Sequence, residues 1–263
     1  MTFSQTLADL RASGNDTVTV SADWAQGRAL FGGLAGALAL DPMVRSVAPD
    51  RVLRSVSISF VGPIAPGGVS VESRLLREGG SVSQCQSEVV QEGAVRTAAM
   101  ASFGVPRSSS VNMPAVAAPD VEAPESLDVM PFQEGVSPAF TRHFEYCYGI
   151  GSLPFSGANT RRMGGWVRFR DEQDPITPMH LLGLIDAWPP ATLPLLEERA
   201  PSSSLTWYAE IIHPVPGIRS GDWVLYEAEL DYARDGYGQT HARLWNRQGD
   251  LIAISRQTVT VFA

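Results

Sequence analysis

Between positions 55 and 60 the chain alternates. Val56, Ile58 and Phe60 fall on one side, Ser55, Ser57 and Ser59 on the other, and the run stops at Gly62-Pro63. A period of two predicts a strand with one buried face. Three further strands are expected at about 69–78, 81–92 and 94–103, with Glu78-Gly-Gly80 and Gln91-Glu-Gly93 as hairpin turns. Upstream, Phe3, Leu7 and Leu10 share a helical face, and Thr17–Ser21 reads as a strand. The stretch Gly27–Leu40 is apolar and rich in small residues, which predicts a buried central helix lying close to a neighbouring backbone.

From 105 to 139 the composition shifts to Ser, Pro, Ala and acidic residues without periodicity, the pattern of a linker. After it the first pattern returns: a strand at Thr141–Tyr148, another around Gly165–Phe169, an apolar helix, then a four-strand meander. Ser204–Pro214 has the character of Ser55–Pro63, Arg234-Asp-Gly that of Arg77-Glu-Gly, and Arg247-Gln-Gly that of Gln91-Glu-Gly. A tandem repeat of one α+β unit accounts for this, with units at 1–104 and 140–263 pairing edge to edge into a continuous sheet and each helix wrapped by it.

The second unit's helix carries an unusual residue. Pro178 suits a first helical turn and Pro189-Pro190 must close the helix, so Asp186 falls in the last turn. A negative charge there opposes the helix dipole, and Leu182, Gly183, Pro189 and Pro190 offer it no cation. A carboxylate among apolar side chains has a raised pKa, which suits a general base. The alternative is a residue that faces solvent or caps a turn.

Composition narrows the function. An apolar fraction of 44% over 263 residues supports a real core, and a net charge of −8 without basic runs argues against sequence-independent nucleic-acid binding. No apolar run approaches the roughly 20 residues that cross a bilayer, and the first residues have no leader pattern, so a cytoplasmic protein without a membrane partner is expected. Cys85 and Cys147 are isolated and suggest neither a disulfide framework nor a zinc site. His180 and His213 have no metal-ligand or triad spacing, and no Gly-x-Ser-x-Gly elbow, phosphate loop or dinucleotide fingerprint is present. No metal or cofactor is therefore expected.

The ordered set of Arg28–Gly33, Ser55–Pro63 and Ala101–Phe103, then Leu182–Asp186, Ser203–Tyr208, His213-Pro214, Trp223–Tyr226, Gly249–Ala253 and Gln257, resembles the acyl-CoA thioesterase II type of double hotdog protein. The resemblance spans nearly the whole chain. It implies an α+β double hotdog, fatty acyl-CoA as substrate, a homodimer of double hotdogs, and a water activated by a helix aspartate, a strand hydroxyl and a late-strand glutamine. Asp186 and Gln257 match the aspartate and the glutamine. The hydroxyl matches Ser204, with Thr206 as the alternate on the same strand face. Thr206-Trp207 stands where the family usually has Asp-His.

Such a site is chemically sufficient, because a thiol with a pKa near 8.5 leaves without strong acid assistance. Gln257 shares strand parity with Leu251, Ala253, Val259 and Val261, so it should lie on an apolar face and need partners. Backbone amides at Phe31, Gly32 and Gly33, at the start of the first helix, either bind the thioester oxygen or serve close packing. Arg161, Arg162, Arg168 and Arg170 either meet coenzyme A phosphates or form a solvated face. Two other functions stay open: a hotdog enoyl-CoA hydratase or dehydratase, disfavoured by the lack of a histidine close after the aspartate, and a non-catalytic acyl-CoA-binding scaffold. Leu40 is expected to occupy the place of Asp186 in the first helix, leaving one base per chain.

Overall fold

The computed structural model describes residues 1–215 and 217–263. Helix α1 (Phe3–Ala12) leads into β1 (Thr17–Val20), a short pair β2 (Ala25–Gln26) and β3 (Ala29–Leu30), and helix α2 (Gly32–Arg45). A meander follows: β4 (Val52–Phe60), β5 (Gly67–Glu78), β6 (Val82–Gln91) and β7 (Ala94–Gly104). The second half contributes β8 (Phe144–Gly151), β9 (Arg162–Phe169), α3 (Pro178–Asp186), then β10 (Ser202–Ile211), β11 (Val224–Arg234), β12 (Tyr237–Trp245) and β13 (Leu251–Val261). Among the described residues no helix is long and apolar enough to cross a membrane.

Eleven of these strands form one antiparallel sheet in the order β1-β5-β6-β7-β4-β10-β13-β12-β11-β9-β8. The order β5-β6-β7-β4 is repeated, reversed, as β10-β13-β12-β11, and the two halves join where β4 pairs with β10, Ser57 opposite Tyr208. Hairpin turns recur at equivalent connections. Glu92-Gly93 and Asp235-Gly236 each place two successive residues at positive φ, the conformation that matches strand twist in a two-residue turn.

Two expected boundaries move. The first central helix starts at Gly32 rather than Gly27, because 25–30 is taken by the β2–β3 pair, and it runs through Asp41-Pro42 to Arg45. The strand expected from Thr141 starts at Phe144, because Ala139–His143 makes a 3-10 turn that brings Phe140 into the core.

Inside the sheet, α2 packs against β4–β7 and against α3. Phe3, Trp24, Phe31, Phe140, Phe144 and Phe169 form a continuous aromatic chain with ring centroids 4.2–6.3 Å apart. Each is buried, and burial of a Phe-sized side chain contributes about 1.5–3 kcal/mol. This chain carries residues from both halves, so the core does not stop at the repeat boundary.

The segment 105–139 has no strand and only a single 3-10 turn, yet it is not a free tether. It runs across the outer face of the second half, where Ala118, Val121 and Leu127 pack on Cys147, Ile150, Trp166, Leu225 and Trp245. The indole N–H groups of Trp166 and Trp245 donate to the Glu122 and Val116 carbonyls at 2.8 and 3.0 Å, and the Arg247 guanidinium grips the Glu125 carboxylate at 2.6 and 2.7 Å. Gly149 makes room for this strap, since a Cβ there would stand 2.6 Å from Val121 Cγ1. The outer face of the first half has no such cover among the described residues, and Val82 and Met100 are exposed on it.

Candidate active site

The start of α3 is fixed by local chemistry. Thr177 caps the helix, its hydroxyl accepting from the His180 amide while His180 Nδ1 accepts from the Thr177 amide at 3.2 Å, and Pro178 occupies the first turn. With Nδ1 an acceptor, Nε2 carries the hydrogen and faces Ser4 Oγ at 2.9 Å. Glu172 closes the group, accepting from the Phe3 and Ser4 amides and the Ser4 hydroxyl at 2.6, 3.2 and 2.8 Å. Burial alone would raise the Glu172 pKa, but the hydrogen bonds from His180, Ser4 and the two amides hold it below the ordinary carboxylate range. The polarity is wrong for a serine nucleophile, because the Ser4 proton goes to Glu172 and Nε2 is not a free base. These residues bind α1 to α3, and His213 is likewise structural, its Nε2 at 2.9 Å from the Leu53 carbonyl.

At the other end of α3 stands Asp186. Gln257 Nε2 donates to its Oδ1 at 2.8 Å. Burial pushes the Asp186 carboxyl up to about 7, against the hydrogen bond from Gln257 and a further one from the backbone amide of Gly33, both of which favour the charged form. The charge that opposes its own helix dipole is thus met by the N-terminus of α2, which supplies an amide and the positive end of a second dipole. The sequence shows no cation nearby because the partner is the backbone of Gly33, far upstream in the chain.

Gly32 forms one wall. A Cβ on it would stand 2.7 Å from Asp186 Oδ2 and 3.2 Å from Phe60 Cζ. Gly32, Phe60, Asp186 and Gln257 all keep partial exposure, so solvent reaches this corner. Gly33 allows the helices to touch, since its Cβ would lie 3.1 Å from Gly183 Cα. The Phe31 amide donates to the Trp24 carbonyl at 2.9 Å, and its ring is buried against Phe140 at 4.2 Å, so of the two readings of this residue the geometry favours packing.

The two candidate hydroxyls part company. β10 pairs with β13 through Ser204 opposite Val259 and Thr206 opposite Thr258, with a bulge at Leu205 between them. The extra residue reverses the parity, so Ser204 and Thr206 do not share a face as simple alternation predicts. Ser204 lies on the inner face with Val259, Trp207 and Gln257. Thr206 lies on the outer face opposite Ser59 and is exposed, away from Asp186.

Comparison with known proteins follows this geometry. A family model described as the acyl-CoA thioesterase C-terminal domain matches residues 124–261, and one described as the acyl-CoA thioesterase N-terminal domain matches 20–104. The chain belongs to the acyl-CoA thioesterase family. No curated protein matches it. Among solved structures it is similar to a conserved protein of unknown function with a hot dog fold from Alicyclobacillus acidocaldarius, at a TM-score of 0.82 and 22% identity over 94% of this chain and 92% of that one. A putative thioesterase II from Thermobifida fusca gives 0.79 at 18% identity over 94% and 92%, and an acyl-CoA thioesterase II from Mycobacterium marinum 0.69 at 20% over 93% and 91%. These likenesses establish the hotdog fold.

Within this thioesterase family chain the two helices are related by a shift of 150 positions. Gly33 and Gly183 face each other, and the contact of Gly32 with Asp186 is mirrored by that of Gly36 with Leu182, whose Cδ1 would stand 3.6 Å from a Cβ on Gly36. The counterpart of Asp186 is therefore Gly36, not Leu40. Ile58 and Trp207 fill that place, at 2.9 and 3.2 Å from the same Cβ position, and Trp207 anchors its indole on Ser255 Oγ at 2.8 Å. α2 does hold a buried carboxylate, Asp41, but Arg11 Nε and Arg45 Nε occupy it at 2.8 and 2.9 Å. Both of its oxygens are held by guanidinium groups.

The four arginines considered for coenzyme A have partners in the protein. Arg162 pairs with Glu227, Arg168 with Glu145, and Arg161 and Arg170 donate to backbone carbonyls. Sequence reasoning missed Phe60 beside Gly32 and an aromatic group made of Tyr146, Tyr148, Trp188 and Tyr226. Trp188 was the available signal, an aromatic two positions beyond Asp186 that cannot continue the helix before two prolines.

Proposed function

We propose that the protein hydrolyses the thioester of fatty acyl-CoA to a free acid and coenzyme A, with Asp186 as the base that activates water. The supporting observation is the Asp186–Gln257 contact on a carboxyl whose pKa is pushed up to about 7, where it is a competent base at neutral pH. With Nε2 committed to Asp186, Gln257 presents its Oε1 as an acceptor for one water hydrogen, while Asp186 takes the other. The water oxygen attacks the thioester carbon, the carbonyl oxygen becomes an oxyanion, and the Gly32 amide at the start of α2 is the donor proposed for it. Collapse breaks the C–S bond, and the departing thiolate takes the proton from Asp186 and leaves as the thiol of coenzyme A, which regenerates the base. Ser204 orients the water from the inner face of β10.

The proposal includes the architecture: two hotdog units at 1–104 and 140–263 joined by 105–139, a double hotdog with its base in the second unit. It also includes a homodimer of such chains, for which the exposed Val82 and Met100 on the outer face of the first half give support. Incubation with decanoyl-CoA and a thiol reagent tests the activity. Thiol release at a rate proportional to protein supports hydrolysis, whereas binding without thiol release leaves only a scaffold.

A further inference from the structure

Where β7 runs into the segment 105–139, a groove of about 570 Å³ opens beside the first unit. Arg54, Arg107, Ser81, Ser102, Ser108 and Ser109 line it, and no aspartate or glutamate does. Backbone pairing builds it. A bulge between Leu53 and Ser55 interrupts the β4–β7 ladder at Arg54, whose Nε donates to the Gly104 carbonyl at 3.3 Å. The Val105 amide donates to the Ser81 carbonyl at 3.1 Å, so the segment sets out across the start of β6 and carries Arg107 to the same groove. Ser102 alternates with the buried Ala101 and Phe103, which puts the groove on the outer face of the sheet, away from α2 and α3. Arg54 also stands six positions before Phe60 on an extended strand, roughly 20 Å from that wall of the Asp186 corner.

Charge sets the groove apart. In a chain of net charge −8, Arg11, Arg45, Arg51, Arg162, Arg168 and Arg247 are each paired with a carboxylate. Arg54 and Arg107 instead share a groove without one. The Gly104 carbonyl takes the Arg54 Nε, which leaves the two terminal nitrogens to a ligand. A guanidinium pairs bidentately with a phosphoryl group, and the serine hydroxyls add further donors. A single carboxylate has about four acceptor sites and cannot satisfy two such forks and the serines together. A pyrophosphate can, because it presents one phosphoryl group to each guanidinium. The volume lies in the roughly 300–1,000 Å³ range of small-molecule sites.

We propose that this groove is a second ligand site, which takes a pyrophosphate-bearing small molecule between Arg54 and Arg107 and so ties the first residues of segment 105–139 to the start of β4. The probe is inorganic pyrophosphate, titrated calorimetrically into the full chain at physiological salt. Wild type should show saturable one-to-one binding. Arg54→Gln and Arg107→Gln, the latter at an exposed position, should each weaken it about tenfold through loss of a charge-assisted pair, with circular dichroism unchanged. Absence of saturable binding to wild type, or wild-type affinity in either variant, overturns the proposal. Decanoyl-CoA also carries a pyrophosphate, so thiol release is compared in the same proteins. Its KM should stay within about twofold of wild type in both variants, as expected for a groove apart from the substrate. A tenfold rise in KM would assign the groove to the substrate and overturn a second site.

Discussion

Gln257 Nε2 donates to Asp186 Oδ1 at 2.8 Å and so ties the last strand to the end of the second helix. The bond favours the charged carboxylate against burial, and a base at this site depends on that balance. Gln257→Leu removes the bond and keeps the apolar volume. The Asp186 pKa then rises above about 7, and the acid limb of the kcat/KM–pH profile moves to higher pH. A profile that keeps its acid limb in place would show that Asp186 is not the group being titrated.

Gly32 has a steric role that a single methyl group exposes. A Cβ at this position stands 2.7 Å from Asp186 Oδ2, so Gly32→Ala must push the carboxylate aside. The chain should remain folded, because Phe60 and Asp186 are both partly exposed and can yield. Thiol release from decanoyl-CoA should fall by about two orders of magnitude, in keeping with the sensitivity of catalysis to displacements of an ångström. Circular dichroism checks the fold alongside the rate.

The bulge at Leu205 separates Ser204 from Thr206 in consequence as well as in space. Ser204→Ala should lower kcat about ten- to a hundredfold through loss of a hydroxyl on the inner face. Thr206→Ala, on the outer face, should change it less than twofold. The reverse ranking in steady-state kinetics would place the water on the other hydroxyl.

Much of this architecture could be read from the sequence, and the reasons are specific. The strict alternation from Ser55 to Phe60, the Gly-marked turns and the proline boundaries of α3 are local patterns tied directly to backbone geometry. What escaped depends on distant partners. The amide of Gly33 beside Asp186 is invisible locally, because backbone donors leave no compositional mark. The Leu205 bulge inserts one residue without altering the residue types around it, so parity counted along the strand gives Thr206 the wrong face. Segment 105–139 has no periodicity because it pairs with no strand, yet its side chains and carbonyls serve Trp166 and Trp245. Gly36 as the counterpart of Asp186 needed the helix–helix contact to be seen.

A carboxyl whose folded-state pKa is raised carries a stability signature. Asp186 binds its proton more tightly folded, at about 7, than at the ordinary 3.8 of an unfolded chain. Stability is therefore fully present below pH 3.8, declines as pH rises between these values, and carries the whole penalty above about 7. Asp186→Asn removes the charge and keeps an oxygen for Gln257. At pH 8 the variant should be more stable than wild type by about 1–3 kcal/mol, a figure reduced for the partial exposure of the residue, and the difference should shrink toward pH 4. Thermal melts at the two pH values check this.

The central claim is that Asp186 activates the water, and the most direct measurement is thiol release from decanoyl-CoA by wild type and Asp186→Asn at pH 8. The carboxylate is deprotonated there, and general base catalysis is worth roughly 10²–10⁴-fold. A loss of at least a hundredfold in kcat, in a variant that still binds the substrate, is the predicted result. Equal rates of thiol release from the two proteins would contradict the account.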